Sequence, residues 1–261
     1  MTKHIILKTH IERQRHSAHY ETALIDLRAK ECDLNPLISF EEFYLYGPVF
    51  QPSPHAGIIR LTLLLSDSTG TLHVQAGTQS EQLNADELFC MNSGAGVLFE
   101  ERVSPQNAVI HGITVLLNTP SALKRLPGST DIIRYNSPHD GFSVCINGDT
   151  RGLGSFMFEF CSVTEVKPYA LAEDENLYIY ILEGEIHRVG SEHNEICAKG
   201  DFMTIISKEC TTYNITPETC ARIIVLRVKR LNEKVLLLGN LAMNTQDEIN
   251  EILDKYRSGV L

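Results

Sequence analysis

LTLLLSDSTGTLHV (61–74) followed by LNADELFCM (83–91), and LYIYILEGEIHRV (177–189) followed by CAKGDFMTI (197–205), are the segments that decide the fold of this chain. Each reads as an apolar strand, a tight acidic turn and a return strand. A small or Gly-Asp turn then leads into another apolar strand. The interval from Leu65 to Glu87 nearly equals that from Leu182 to Asp201. A duplicated β domain accounts for such a weak internal repeat. The turn-rich PGSTDIIRYNSP (127–138) marks the junction, so the reading gives an N-terminal domain over 1–130 and a C-terminal domain over 131–261.

Working outward, strand patterns dominate. Ala23–Leu27, Ile58–Leu65, Ala108–Leu117, Phe142–Ile146, Phe156–Val163, Leu177–Leu182, Phe202–Ile206 and Ala221–Val228 are short apolar or alternating runs between turn-forming residues. Many short strands at this spacing predict a sandwich or barrel. One segment has a different period. In NTQDEINEILDKYRSG (244–259), Thr245 and Glu248 form a capping-box pattern, and Ile249, Ile252, Leu253 and Tyr256 fall on one helical face. Lys255 and Arg257 suit the last turn and Gly259 the residue beyond it. The pattern predicts an amphipathic helix over 245–258 that closes the C-terminal domain.

The 261 residues are 43% hydrophobic and 21% charged, an ordinary globular mixture able to build a core. A net charge of −10 with no basic stripe argues against direct nucleic-acid binding. The N-terminal apolar run, Ile5 to Leu7, is too short for a signal-peptide core, and no stretch approaches a membrane span. Cysteines stand at 32, 90, 145, 161, 197, 210 and 220, an odd number with no CxxC pair. They are read as buried, reduced thiols of a cytoplasmic protein. The N-terminal segment carrying His4, His10, His16 and His19 reads as a polar arm. His187 and His193 read as solvated hairpin residues.

Four further segments carry a resemblance. NPLISFEEFYLYGPVFQPSPHAGI (35–58) is similar to a Phe-rich stretch running into a His-Pro-His-x-Gly turn. MNSGAGVLFEE (91–101) is similar to a Gly-x-Gly turn preceding a His-x-Glu pair. IHGITVLLNTP (110–120) and LGNLAMNTQDEINEILDKYRSGVL (238–261) follow in the same order. Together they resemble the pirin family of the cupin superfamily, from about residue 23 to the end. The resemblance implies an all-β fold of two jelly-roll β-barrel domains, a bicupin, with one metal site in the first and none in the second. It also implies an iron held by three histidines and one glutamate, two from each motif, because residues i and i+2 of a strand share a face.

At those positions this chain carries Ser53, His55, Phe99 and Glu101. Serine is a weak neutral ligand for iron, and phenylalanine ligates nothing. The glutamate that cupins often carry after the first pair is replaced by Ile59. The expected site is therefore degenerate, with His55 and Glu101 left as a remnant pair. His73 and His111 are candidate pocket residues. The second half offers no set: PYALAEDENL (168–177) and KECTTYNIT (208–216) lack histidine.

The expectation is a protein with no metal, or a weakly bound one, that binds a small molecule or a protein partner in a regulatory role. The alternative is an iron-dependent (Fe2+) quercetin 2,3-dioxygenase-like oxidoreductase with an altered ligand set, in which Glu101 would be the active carboxylate. No direct nucleic-acid or membrane partner is expected.

Overall fold

The computed structural model describes residues 4–27, 34–47, 50–134, 143–189 and 195–261. Strands dominate, and one α-helix, Gln246–Arg257, stands among the described residues. The chain divides into two compact units. One comprises Arg13–Tyr135 with Leu231–Leu261, the other Met1–Glu12 with Asn136–Arg230.

The first unit contains two antiparallel sheets. In order across the larger run Ser129–Arg134, Glu87–Asn92, Ile58–Leu64, Ile110–Asn118, Leu37–Leu45, Tyr20–Asp26 and Gln14–Ser17. Across the smaller run Ser53–His55, Val97–Ser104, Thr71–Ala76 and Gln79–Leu83. Their facing side chains include Leu64, Leu72, Val74, Leu83, Phe89, Met91, Phe99 and Ile110, which form one buried cluster. Burial of this apolar surface is the main drive to stack the sheets.

The second unit has a six-stranded sheet ordered His4–His10, Asp201–Ser207, Glu175–Glu183, Ala221–Lys229, Phe156–Val163 and Ser143–Asn147. Two short ladders, Lys167–Leu171 with Thr211–Ile215 and Glu185–His187 with Ile196–Ala198, complete it. Leu177, Ile179, Ile181, Met203, Ile205, Ile223 and Val225 lie at its centre. Leu177, Ile179 and Ile181 share one face of the strand, and Tyr178 and Tyr180 on the other face are buried as well.

The division differs from the boundary at 130/131 at both ends. The first residues do not form an arm of the N-terminal domain: His4–His10 pairs antiparallel with Asp201–Ser207, and His10 Nδ1 lies 2.9 Å from Asp201 Oδ1. The closing helix belongs with the first unit. Ile249 and Ile252 pack with Ala56, Leu241 and Met243. Ala242 N donates to Ala56 O at 2.9 Å, and Ala56 N to Asn240 O at 3.2 Å. Turn signals in the linear sequence carry no information on such long-range pairing. Gly57 makes the approach feasible: it has φ +65°, and a Cβ there would lie 2.1 Å from the Ala242 carbonyl oxygen.

The helix itself follows its sequence pattern. The Thr245 hydroxyl accepts from Glu248 N at 3.2 Å, and the Glu248 carboxylate accepts from Thr245 N at 2.9 Å. Cys90, Cys161 and Cys197 are buried free thiols, whereas Cys210 and Cys220 are exposed, contrary to the expectation for all seven. Cys32, His193 and the side chain of Cys145 lie outside the described residues. No helix among the described residues is long and apolar enough to cross a membrane.

Candidate functional site

A cavity of about 440 Å³ opens between the two sheets of the first unit. Its position follows from strand parity. Ser53 pairs with Phe99 across the antiparallel ladder of the smaller sheet, and His55 with Val97. Residues 53, 55, 99 and 101 therefore share one face. All four of Ser53, His55, Phe99 and Glu101 line the cavity. The two motifs meet along this ladder, each turning its i and i+2 residues to the cavity.

The larger sheet contributes the opposite wall. Glu41, Thr62 and Thr114 form a row across three strands, and Ser39, Arg60 and Leu116 form the next. Thr62 and Thr114 hydroxyls lie 3.3 Å apart. On the neighbouring strand Tyr20 and Leu24 fall in the same register set, opposite Leu45 and Glu41. The Tyr20 hydroxyl donates to the Glu41 carboxylate. Tyr20 also meets Phe50 edge to face at the cavity wall, with ring centroids 5.0 Å apart.

The electrostatics centre on a residue the motif comparison did not single out. Arg60 Nη2 donates to Glu101 Oε1 at 2.7 Å, with both side chains largely buried. Arg60 Nε donates to Thr62 Oγ1 at 3.2 Å. The guanidinium carbon stands 4.8 Å from the centroid of the Phe99 ring. His55 stacks obliquely on that ring at 4.9 Å, and its Nδ1 lies 3.2 Å from the Ser53 carbonyl oxygen. The partner expected for a buried Glu101 is thus supplied by Arg60.

Burial pushes the Glu41 carboxyl above its ordinary range. The Tyr20 hydrogen bond and the charge of Arg60 offset this in part, while Glu101 adds to it. Burial, then the Glu41 charge, raises the Tyr20 phenol. Both groups were missed from the sequence. A signal for Arg60 was present: it is a lone charge inside the apolar strand IIRLTLL (58–64). Such a residue must reach solvent or a buried partner.

His73 and His111, read as candidate pocket residues, lie elsewhere. His73 pairs with Arg102 and Gln82, one position off the row of Glu101 and Val74, so parity turns it to the exposed face. His111 pairs with Tyr44, one position off the row of Phe43 and Gly112. Its Nε2 lies 2.8 Å from Glu42 Oε1 and its Nδ1 2.8 Å from Asp67. Its ring stacks on Tyr44 at 4.0 Å. This histidine ties the sheet to a loop.

In the second unit, buried Glu159 accepts from Lys167 Nζ at 2.6 Å and from the Tyr169 hydroxyl at 2.7 Å. His187 Nε2 pairs with Glu218 at 2.8 Å. Among the described residues no group of three or more His, Cys, Asp or Glu is placed to hold a metal ion.

Residues 164–261 match the Pirin C-terminal cupin domain. A pirin-like protein of Arabidopsis thaliana is 24% identical over 243 residues, covering 87% of this chain and 88% of that protein. These likenesses support a pirin-family cupin protein. Among solved structures, a quercetin 2,3-dioxygenase from Acinetobacter baumannii superposes with a TM-score of 0.78 at 18% identity, over 97% of this chain and 98% of that one. A bacterial pirin from Escherichia coli in complex with nickel(II) gives 0.71 at 14% identity, over 87% and 100%. These likenesses establish the two-domain bicupin fold.

The nickel complex raises the question of whether this chain can take a metal at the same place. The residues present do not fit one. Of the four ligand positions implied by the family motifs, one is a phenylalanine only 3% exposed and one is a serine. The remaining carboxylate is already engaged by a guanidinium. Two protein ligands, one of them neutralised, are too few for a first-row metal.

Proposed function

We propose that this chain binds a small molecule in the cavity of its first unit without the iron site of the family, as a regulatory protein rather than an oxygenase. The observation that carries the reading is the Arg60–Glu101 ion pair at 2.7 Å, set against Phe99 at an expected ligand position. The ion pair ties up the carboxylate, and the ring cannot coordinate.

The lining limits what the cavity accepts. Glu41 and Glu101 face it and Glu100 is a further lining residue, with Arg60 as the only Lys or Arg among the lining residues described. Glu100 is paired with Arg102 at 2.6 Å and Glu101 with Arg60 at 2.7 Å, so each of these cations already has a carboxylate partner. Anions are disfavoured there. An uncharged or cationic ligand with an aromatic part fits the ring faces of Tyr20, Phe50 and Phe99 and the apolar Leu24 and Leu45. A protein partner at the mouth of the cavity is compatible with the same chemistry. The buried free thiols suit a reducing compartment, so the cytoplasm is the proposed location.

The second reading is a quercetin 2,3-dioxygenase-like oxidoreductase using iron held by an altered ligand set. Its support is the dioxygenase structure that matches over 97% of this chain, together with retention of the cavity. Metal analysis of purified protein and assay of quercetin turnover separate the two. The proposal expects substoichiometric metal and no turnover. Stoichiometric iron, or turnover abolished by a chelator, would establish the second reading instead.

A further inference from the structure

The loss of two histidines explains weak metal binding only in part, and Arg60 supplies the rest. Its guanidinium is fixed on three sides: Glu101 at Nη2, Thr62 at Nε and the Phe99 ring against the planar group. Those contacts include two of the four motif positions, Phe99 and Glu101. A guanidinium stays protonated at all physiological pH values. It cannot give up its charge to admit a metal, as a histidine or a buried lysine can.

We propose that Arg60 is the internal cation of this site: it takes the charge role that a metal holds elsewhere and keeps the cluster closed to divalent metal even if both imidazoles are put back. The inference rests on the metal-free reading above and adds a residue to it. A dication beside Glu101 would have to displace the guanidinium from its partner or accept close like-charge repulsion. Arg60 also changes what the cavity can recognise. Its Nη1 has no hydrogen-bond partner among the described residues, so it can donate to a neutral oxygen of a bound molecule.

Three proteins test this: the natural chain, S53H/F99H, and S53H/F99H/R60T. Threonine is chosen because Thr62 and Thr114 already stand in the adjacent inward row. Each is loaded anaerobically with Fe(II), and separately with Ni(II), then desalted, and metal per chain is measured. The natural chain and the double variant are expected to stay nearly empty. The triple variant should hold about one ion per chain. Its affinity should exceed that of the double variant by roughly 10–100-fold.

A double variant that fills as tightly as the triple overturns the role of Arg60 while leaving the metal-free reading intact. A natural chain that fills overturns both. A folded triple variant that stays empty also overturns the inference. If the triple variant does not fold, R60T alone carries the test. Its Ni(II) affinity must exceed that of the natural chain by about tenfold, the size of a lost neighbour effect at a metal site. Equal affinities overturn the proposal.

Discussion

Arg60 and Glu101 stand 41 residues apart in the chain on facing sheets, and their side chains meet at 2.7 Å inside the cavity. The pair is only 13% and 7% exposed, so removing one partner leaves a poorly solvated charge. Arg60→Met should destabilise the protein by about 2–4 kcal/mol, the usual cost of breaking a buried pair. Arg60→Met with Glu101→Gln should recover at least half of that loss. Urea titrations of the two variants check this; a double variant no more stable than the single one would mean that the pair is not coupled.

His111 has a structural role, because Glu42 on its Nε2 side is buried. His111→Ala removes the imidazole from between Glu42 and Asp67 and exposes one face of Tyr44. A loss of about 2–4 kcal/mol is expected from the buried carboxylate and the lost packing together. Ligand affinity at the cavity should change less than twofold, since parity places His111 on the other face of the strand. Isothermal titration with any cavity ligand measures the second point.

Lys124 is 2% exposed, and its Nζ has no hydrogen-bond partner. Burial lowers its pKa to about 8, against the opposing influence of Glu233 and Glu248. The folded state therefore sheds this proton before the unfolded state does. Between pH 8 and the ordinary lysine value the unfolded chain binds more protons, so stability rises with pH across that window. Below it the burial penalty is present in full. Lys124→Met should add about 1–3 kcal/mol near neutrality and remove the rise above pH 8. Denaturation midpoints from pH 7 to 10 provide the check.

The helix cap responds to acid in the opposite direction. Burial works to raise the Glu248 carboxyl, but hydrogen bonds from the backbone of Asn244 and Thr245 win and hold it below its ordinary value. The cap thus contributes above the unfolded glutamate pKa and is lost as pH falls through the folded one. Thr245→Ala should cost about 1 kcal/mol. Glu248→Gln should flatten the acid limb of the stability curve, measured by circular dichroism between pH 2 and 6.

The helix and most strands were legible because their signals are local. Thr245 and Glu248 are three residues apart, and the capping box forms from those residues alone. The alternation of Leu177, Ile179 and Ile181 likewise needs only the pleat of one strand. The unit boundary was not legible. It depends on His4–His10 pairing with a strand nearly 200 residues away, and no nearby turn or charge encodes that choice.

The site divides along the same line. The order of the residues alone determined that Ser53 with His55, and Phe99 with Glu101, would present two side chains to one face, because strand geometry repeats every two residues. It also determined that Glu41 and Glu42 would point apart. Only the tertiary structure decided which of those two faces the cavity and which meets His111. Only it, too, brought the lone charge of the strand 58–64 to Glu101. A strand's parity is a local property of the backbone, whereas the side it buries is settled by which sheet packs against it.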